Sequence, residues 1–87
     1  MIYELWRTNG EVEEIETDKP LSLEEQQKLV GGYITYVNAK IDKKDIIACI
    51  NDEGLLQDLP RNELLPDYVG NVVVGRLKRN KFVGLEI

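Results

Sequence analysis

Four short polar breaks cut this chain into strand-length pieces: Asn9-Gly10, Asp42-Lys43-Lys44, Asn51 to Gly54, and Arg79-Asn80. Links this short turn a strand back beside its neighbour, because a parallel return needs a crossover of about a dozen residues or more. Between the breaks lie IYELWR (2–7, extendable to Thr8), EVEEIET (11–17), YITYVNAKI (33–41), DIIACIN (45–51), NVVVGRLK (71–78) and KFVGLEI (81–87). Most are rich in the β-branched and aromatic residues that strands favour. Asn9-Gly10 reads as a two-residue hairpin turn, since both residues accept positive φ. The glutamates of EVEEIET mark an exposed edge, where charge discourages pairing with other chains. DIIACIN is more continuously apolar and reads as a central strand. Gly54 is expected to supply the positive φ of the NDEG turn. Gly75 marks a bulge or a close approach.

One segment breaks the strand pattern. In DKPLSLEEQQKLVGG, Ser22 and Glu25 have the spacing of a capping box. Glu24 and Glu25 suit the positive end of the helix dipole, Lys28 suits the negative end, and Gly31 can take the left-handed stop. This predicts a helix over residues 23–30 with Leu23, Leu29 and Val30 on its apolar face. LLQDLPRNELLPDYVG (55–70) holds two prolines and reads as an irregular excursion with one helical turn near Asn62 to Leu65. The order is therefore β-β-α-β-β-loop-β-β in a single domain, residues 1–87. The expected class is α+β: a small curved antiparallel sheet with one short helix packed on it. In the last strand, Phe82, Gly84 and Glu86 share one face and Val83, Leu85 and Ile87 the other. Both faces carry apolar groups, which suits either a core strand or an interface between copies. The composition can bury enough apolar surface with little to spare, and a homo-oligomer would bury more.

Sixteen acidic residues against eleven basic ones leave a net charge of −5. That balance disfavours nucleic-acid binding, although Arg76, Lys78, Arg79 and Lys81 cluster locally. The chain has one cysteine and no histidine. A Ser-His-Asp triad and zinc sites built from these ligands are thereby excluded, no phosphate loop is present, and no metal or cofactor is expected. Cys49 sits among apolar residues and reads as a buried small hydrophobe. A single cysteine allows no disulfide within the chain, and the start of the sequence does not resemble a signal peptide. No apolar run is long enough to cross a bilayer, so the expected location is cytoplasmic, with no membrane partner.

Catalytic residues are not assigned. Adjacent carboxylates at Asp52 and Glu53, with Asp58 and Asp67, lack the paired environments that acid–base chemistry needs. Binding is better supported. Gly31, Gly32 and Tyr33 join the helix end to a strand, where backbone amides and the rings of Tyr33 and Tyr36 could meet a ligand. The alternative is a helix cap, a bend and packed rings. Arg61 and Asn62 after Pro60 could hold a phosphate or carboxylate, or serve only loop solubility and an Asx turn.

LVGGYITYV, INDEGLLQDLPRN and VGNVVVG, in this order, resemble the domain-of-unknown-function family numbered three-eight-four-six. Its members read as a helix ending in IVGGYIE, a strand entering NEEG, then LPxN and a VG-x-VVV segment. The resemblance spans about residues 20–76 and falls on Gly31 to Ile34, Asn51, Glu53, Gly54, Leu59, Pro60, Asn62, Val69, Gly70 and Val72 to Gly75. Two departures stand out. Glu63 occupies a place that is often basic in the family, with Arg61 on the other side of Asn62, and Asp52 replaces a common glutamate. The resemblance implies a mobile-element origin, in phages, plasmids or large DNA viruses.

The resulting expectation is a non-enzymatic viral or phage binding module, acting in the host cytoplasm. Its ligand would be a small anionic nucleotide used in host defence signalling, and its ligand-binding residues Gly31, Gly32, Tyr33, Tyr36, Asn51, Arg61 and Asn62. One alternative is a protein-binding inhibitor or adaptor that works through its acidic hairpin or a sheet edge. Another is a structural oligomer without a ligand.

Overall fold

Alternating strand pieces and tight turns assemble into one antiparallel sheet, which a computed structural model describes over residues 1–86. Among these residues are β1 (Ile2–Trp6), β2 (Val12–Glu16), α1 (Leu23–Val30), β3 (Ile34–Ile41), β4 (Lys44–Asn51), β5 (Val72–Lys78) and β6 (Lys81–Val83). The order across the sheet is β2-β1-β5-β4-β3, and β6 pairs with the far half of β5. One short helix on a curved, open antiparallel sheet is the α+β class that the sequence predicts.

The apolar run of β4 does make it an interior strand, but β5 is the middle one, with Val72, Val73 and Val74 fully buried between β1 and β4. Alternation then sorts the side chains onto two covered faces. Leu5, Val73 and Cys49 lie in register and face α1, together with Tyr3, Leu21, Val30 and Phe82. On the opposite face, Val72, Val74, Ala48, Ile50 and Trp6 pack beneath Leu65, Tyr68 and Leu85. The excursion between β4 and β5 is therefore a second cover for the sheet.

The helix forms where its caps place it. Ser22 Oγ accepts from the Glu25 N–H at 3.1 Å, and the Ser22 N–H donates to the Glu25 carboxylate at 3.0 Å. The Ser22 backbone N–H, with a smaller contribution from its hydroxyl, holds the Glu25 carboxyl below the usual range. Gly31 stops the helix at φ 85°. Val30 is buried and Leu29 packs against the core as expected, but Leu23 is exposed and Gln26 is buried instead. The Gln26 amide has partners there, donating to Leu21 O at 2.9 Å and accepting from the Tyr36 hydroxyl. A polar side chain whose nitrogen and oxygen both have partners costs little to bury.

Several turns correct the sequence reading in detail. Asn9-Gly10 is not a two-residue turn. The Gly10 N–H bonds to Arg7 O and the Arg7 N–H to Glu11 O, and only Gly10 takes positive φ. Gly54 is not at positive φ either; it is needed for space, since a Cβ there would lie 2.7 Å from Val69 Cγ2. The segment 62–65 forms bends rather than a helical turn. The last strand ends at Val83, and the chain then leaves the ladder to place the Leu85 N–H on Ile2 O at 2.7 Å. Phe82 packs between Tyr3 and Tyr36, with ring centroids 5.4 and 5.0 Å away. Ile87, part of the expected last strand and its second face, lies outside the described residues. Among the described residues, no helix is long and apolar enough to cross a membrane.

Two hairpins turn without glycine. Asp42 and Lys43 have φ of 47° and 71°, and Arg79 and Asn80 have 52° and 65°. Positive φ at both central residues matches the twist of the flanking strands but strains residues with a Cβ. Replacing Lys43 with Gly should therefore raise stability by about 0.5–1 kcal/mol, the strain relieved less glycine's own entropy. Urea unfolding should show a higher midpoint with an unchanged slope.

Candidate functional site

β4 ends at Asn51, whose side chain points to the helix side of the sheet and is buried. Its Nδ2 donates to Val30 O at 3.1 Å and to Gln57 Oε1 at 2.8 Å, and its Oδ1 accepts from the Glu53 N–H at 2.8 Å. One amide thus satisfies a carbonyl at the helix end and shapes the turn that follows. Gly32 lies against it, with room for a Cβ only 3.1 Å from Asn51 Nδ2. The Gly31 and Gly32 N–H groups both donate to Gln27 O.

Asn62 is fully buried on the other side of the excursion. Its Nδ2 donates to Trp6 O and Gly70 O, each at 3.0 Å, while Oδ1 accepts from the N–H groups of Leu64 and Leu65 at 2.9 and 3.1 Å. Those four bonds use the whole capacity of an amide side chain. The two acceptor bonds fix the bends that follow Asn62. Arg61 is exposed, in a single antiparallel bridge with Val69. Tyr33 is 68% exposed, whereas Tyr36 packs on Phe82 and donates to Gln26. Burial raises the Tyr36 hydroxyl above its usual range.

The seven residues singled out by sequence do not converge on one cleft. Gly31, Gly32 and Asn51 are neighbours at the helix end. Tyr36 lies further along β3, and Arg61 and Asn62 belong to the excursion. Cys49 is fully buried, and burial pushes its thiol up to about 12. A thiol so far above neutrality supplies almost no thiolate for chemistry. Among the described residues, no group of three or more acidic or thiol side chains is placed to hold a metal ion.

A groove opens at Asn51, and apart from Asn51 it is lined by residues that the sequence reading did not select. Residues 52–58 form successive turns, tied by the Gln57 N–H to Glu53 O at 3.0 Å and the Leu59 N–H to Gly54 O at 3.1 Å. Gly54 lies against Val69, and Leu55 and Leu56 are turned outward, 83% and 85% exposed. Between this turn and residues 67–69 opens a groove of about 480 Å³. Ile50, Tyr68 and Val69 give it an apolar floor, and Asp52, Glu53 and Asp67 give it an acidic rim. The one available sequence signal is a Leu-Leu pair inside a turn, with no strand or helix period to bury it.

A family model described as Domain of unknown function (DUF3846) matches residues 5–86. No curated protein matches the chain, and neither does any solved structure.

The different settings of Arg61 and Asn62 give a direct comparison. Asn62→Ala should lower stability by about 3 kcal/mol, because it leaves buried donors and acceptors unpaired. Arg61→Ala should change it by less than about 0.5 kcal/mol. Chemical denaturation of the two variants alongside the parent checks both values.

Proposed function

The chain belongs to the DUF3846 family, and we propose that this member is a non-enzymatic protein-binding module whose contact site is the groove beside Leu55 and Leu56. The observation that carries this reading is two adjacent, almost fully exposed leucines on the lip of an apolar groove with three carboxylates around it. Single exposed apolar residues are ordinary, but a contiguous apolar patch with a polar rim is a mark of an interaction surface. The partner is a protein segment that offers an apolar anchor flanked by lysine or arginine. The anchor gains by leaving water, and the flanking cations meet Asp52, Glu53 and Asp67.

A nucleotide-type ligand has less support. The acidic rim repels phosphate, the amides of Asn51 and Asn62 have internal partners, and Arg61 stands alone on the surface. The acidic hairpin is a weaker contact site than the groove because the one exposed apolar side chain of β2 is Val12, half-exposed among glutamates. A phage or viral setting, implied by the resemblance of the GGYI, NDEG and LPRN segments, suits a module that works by occupying a host protein.

Peptide titrations followed by amide chemical shifts test the proposal. A short peptide with a leucine or tryptophan anchor between lysines should shift the resonances of residues 50–56 and 67–69. Its affinity should fall as salt rises, because the rim charges are exposed. Leu55→Ser with Leu56→Ser should weaken binding about tenfold or more, at roughly 1.4 kcal/mol per factor of ten. Equal binding of an acidic peptide, or shifts at Arg61 on adding a mononucleotide, would count against the groove as a protein site.

A further inference from the structure

The two edges of the sheet are built differently. The β2 edge carries three glutamates in five residues, and charge of that density keeps a free edge from pairing with other strands. The opposite edge, β3, is longer at eight residues and reads ITYVNAKI, with Lys40 as its single charge. Lys40 lies beside the hairpin turn, so Ile34 to Ala39 form an uncharged edge six residues long. A long edge without charge, proline or bulge is a template for another strand.

The bond pattern shows which groups are available. The Asp52 N–H donates to Tyr33 O at 2.8 Å, so position 33 faces β4. By antiparallel alternation, Thr35, Val37 and Ala39 also direct their backbone groups to β4. Ile34, Tyr36, Asn38 and Lys40 therefore turn their N–H and C=O groups to the open side. Val37, Ala39 and Ile41 are only partly buried and carry the apolar cluster of the excursion-covered face out to this edge.

We propose that β3 pairs with β3 of a second copy, antiparallel about a twofold axis at Val37, to form one continuous sheet. This goes beyond the groove reading and uses a different surface. The sequence is self-complementary in that register. Val37 meets Val37 of the second copy across a close, non-hydrogen-bonded pair, and Thr35 meets Ala39. Tyr36 and Asn38 exchange backbone bonds, as do Ile34 and Lys40. The two Lys40 side chains then sit at opposite ends of the interface. Like charges are thereby kept apart, and each Lys40 keeps Asp45 of its own chain at 3.8 Å.

Sedimentation equilibrium of the full chain, with circular dichroism as the check on folding, tests this. The parent chain should be a dimer at roughly 100 µM, the range in which even a weak edge pairing of about 5–6 kcal/mol is populated. Val37→Lys sets like charges across the axis, and Asn38→Pro removes an outward donor that β4 does not use. Each should raise the dissociation constant about tenfold or more while the far-ultraviolet spectrum is unchanged. A third variant remains informative if either of these fails to fold. Val37→Cys should form a disulfide-linked dimer under mild oxidation, since the native Cys49 is buried. A parent chain that stays monomeric at that concentration overturns the proposal. So does a dimer that survives both Val37→Lys and Asn38→Pro, or a Val37→Cys chain that does not cross-link.

Discussion

The sheet depends on the placement of Val72, Val73 and Val74 between β1 and β4, and that run carries no code for its own register. On an ordinary strand, a slip of one residue moves apolar side chains from the core to water and is strongly opposed. Here both faces are covered and three consecutive residues are valine, so a slip exchanges one valine for another. The register has to be fixed by what flanks the run. At one end, a Cβ on Gly75 would lie 2.4 Å from Val83 O and 2.9 Å from the Phe82 ring, so no other residue can take that place without displacing β6. At the other end, Asn71 Oδ1 accepts from the Thr8 N–H at 3.1 Å, and Gly70 O accepts from Asn62. The pattern VGNVVVG thus owes its specificity to the glycines and asparagine around the valines.

This explains why buried amides carry so much of the excursion. The segment between β4 and β5 has little regular structure, yet it must cover one face of the sheet and deliver β5 in register. Backbone groups taken out of water need partners, and a loop has no ladder to supply them. Asn51 supplies them where the excursion begins, and Asn62 where it crosses β1. Among the described residues, no buried side-chain nitrogen or oxygen lacks a hydrogen-bond partner. Leaving one such group unpaired costs more than the bond itself contributes, so these two asparagines act as pins with steep penalties for error.

The same point marks what could be read from the sequence. Strand positions, antiparallel pairing and the capped helix follow from local chemistry: turn residues at short spacing, a capping box, and a glycine stop. They were legible because each signal lies within a few residues of the feature it controls. Strand order was not legible, because nothing local places β5 beside β1. The role of Gly54 was misjudged for the same reason, since the atom that excludes a side chain belongs to Val69. Asn51 and Asn62 stood out as special, but a polar residue kept for a ligand and one kept for buried backbone look alike in a sequence. Only the four partners of Asn62, from Trp6 to Gly70, distinguish them.

Leu55 and Leu56 also follow from this arrangement. They are not outward because the turn is loose. Asn51 and Gln57 clamp its two ends, and the Leu59 N–H closes it on Gly54 O. The apolar lip is therefore held out by the same bonds that anchor the excursion to the sheet. A surface held in place before a partner arrives loses little conformational freedom on binding, so more of its apolar contact appears as affinity. In this chain the cost of keeping two leucines in water is set by the interior of the fold, and the groove they border is a rigid consequence of how β4 hands over to β5.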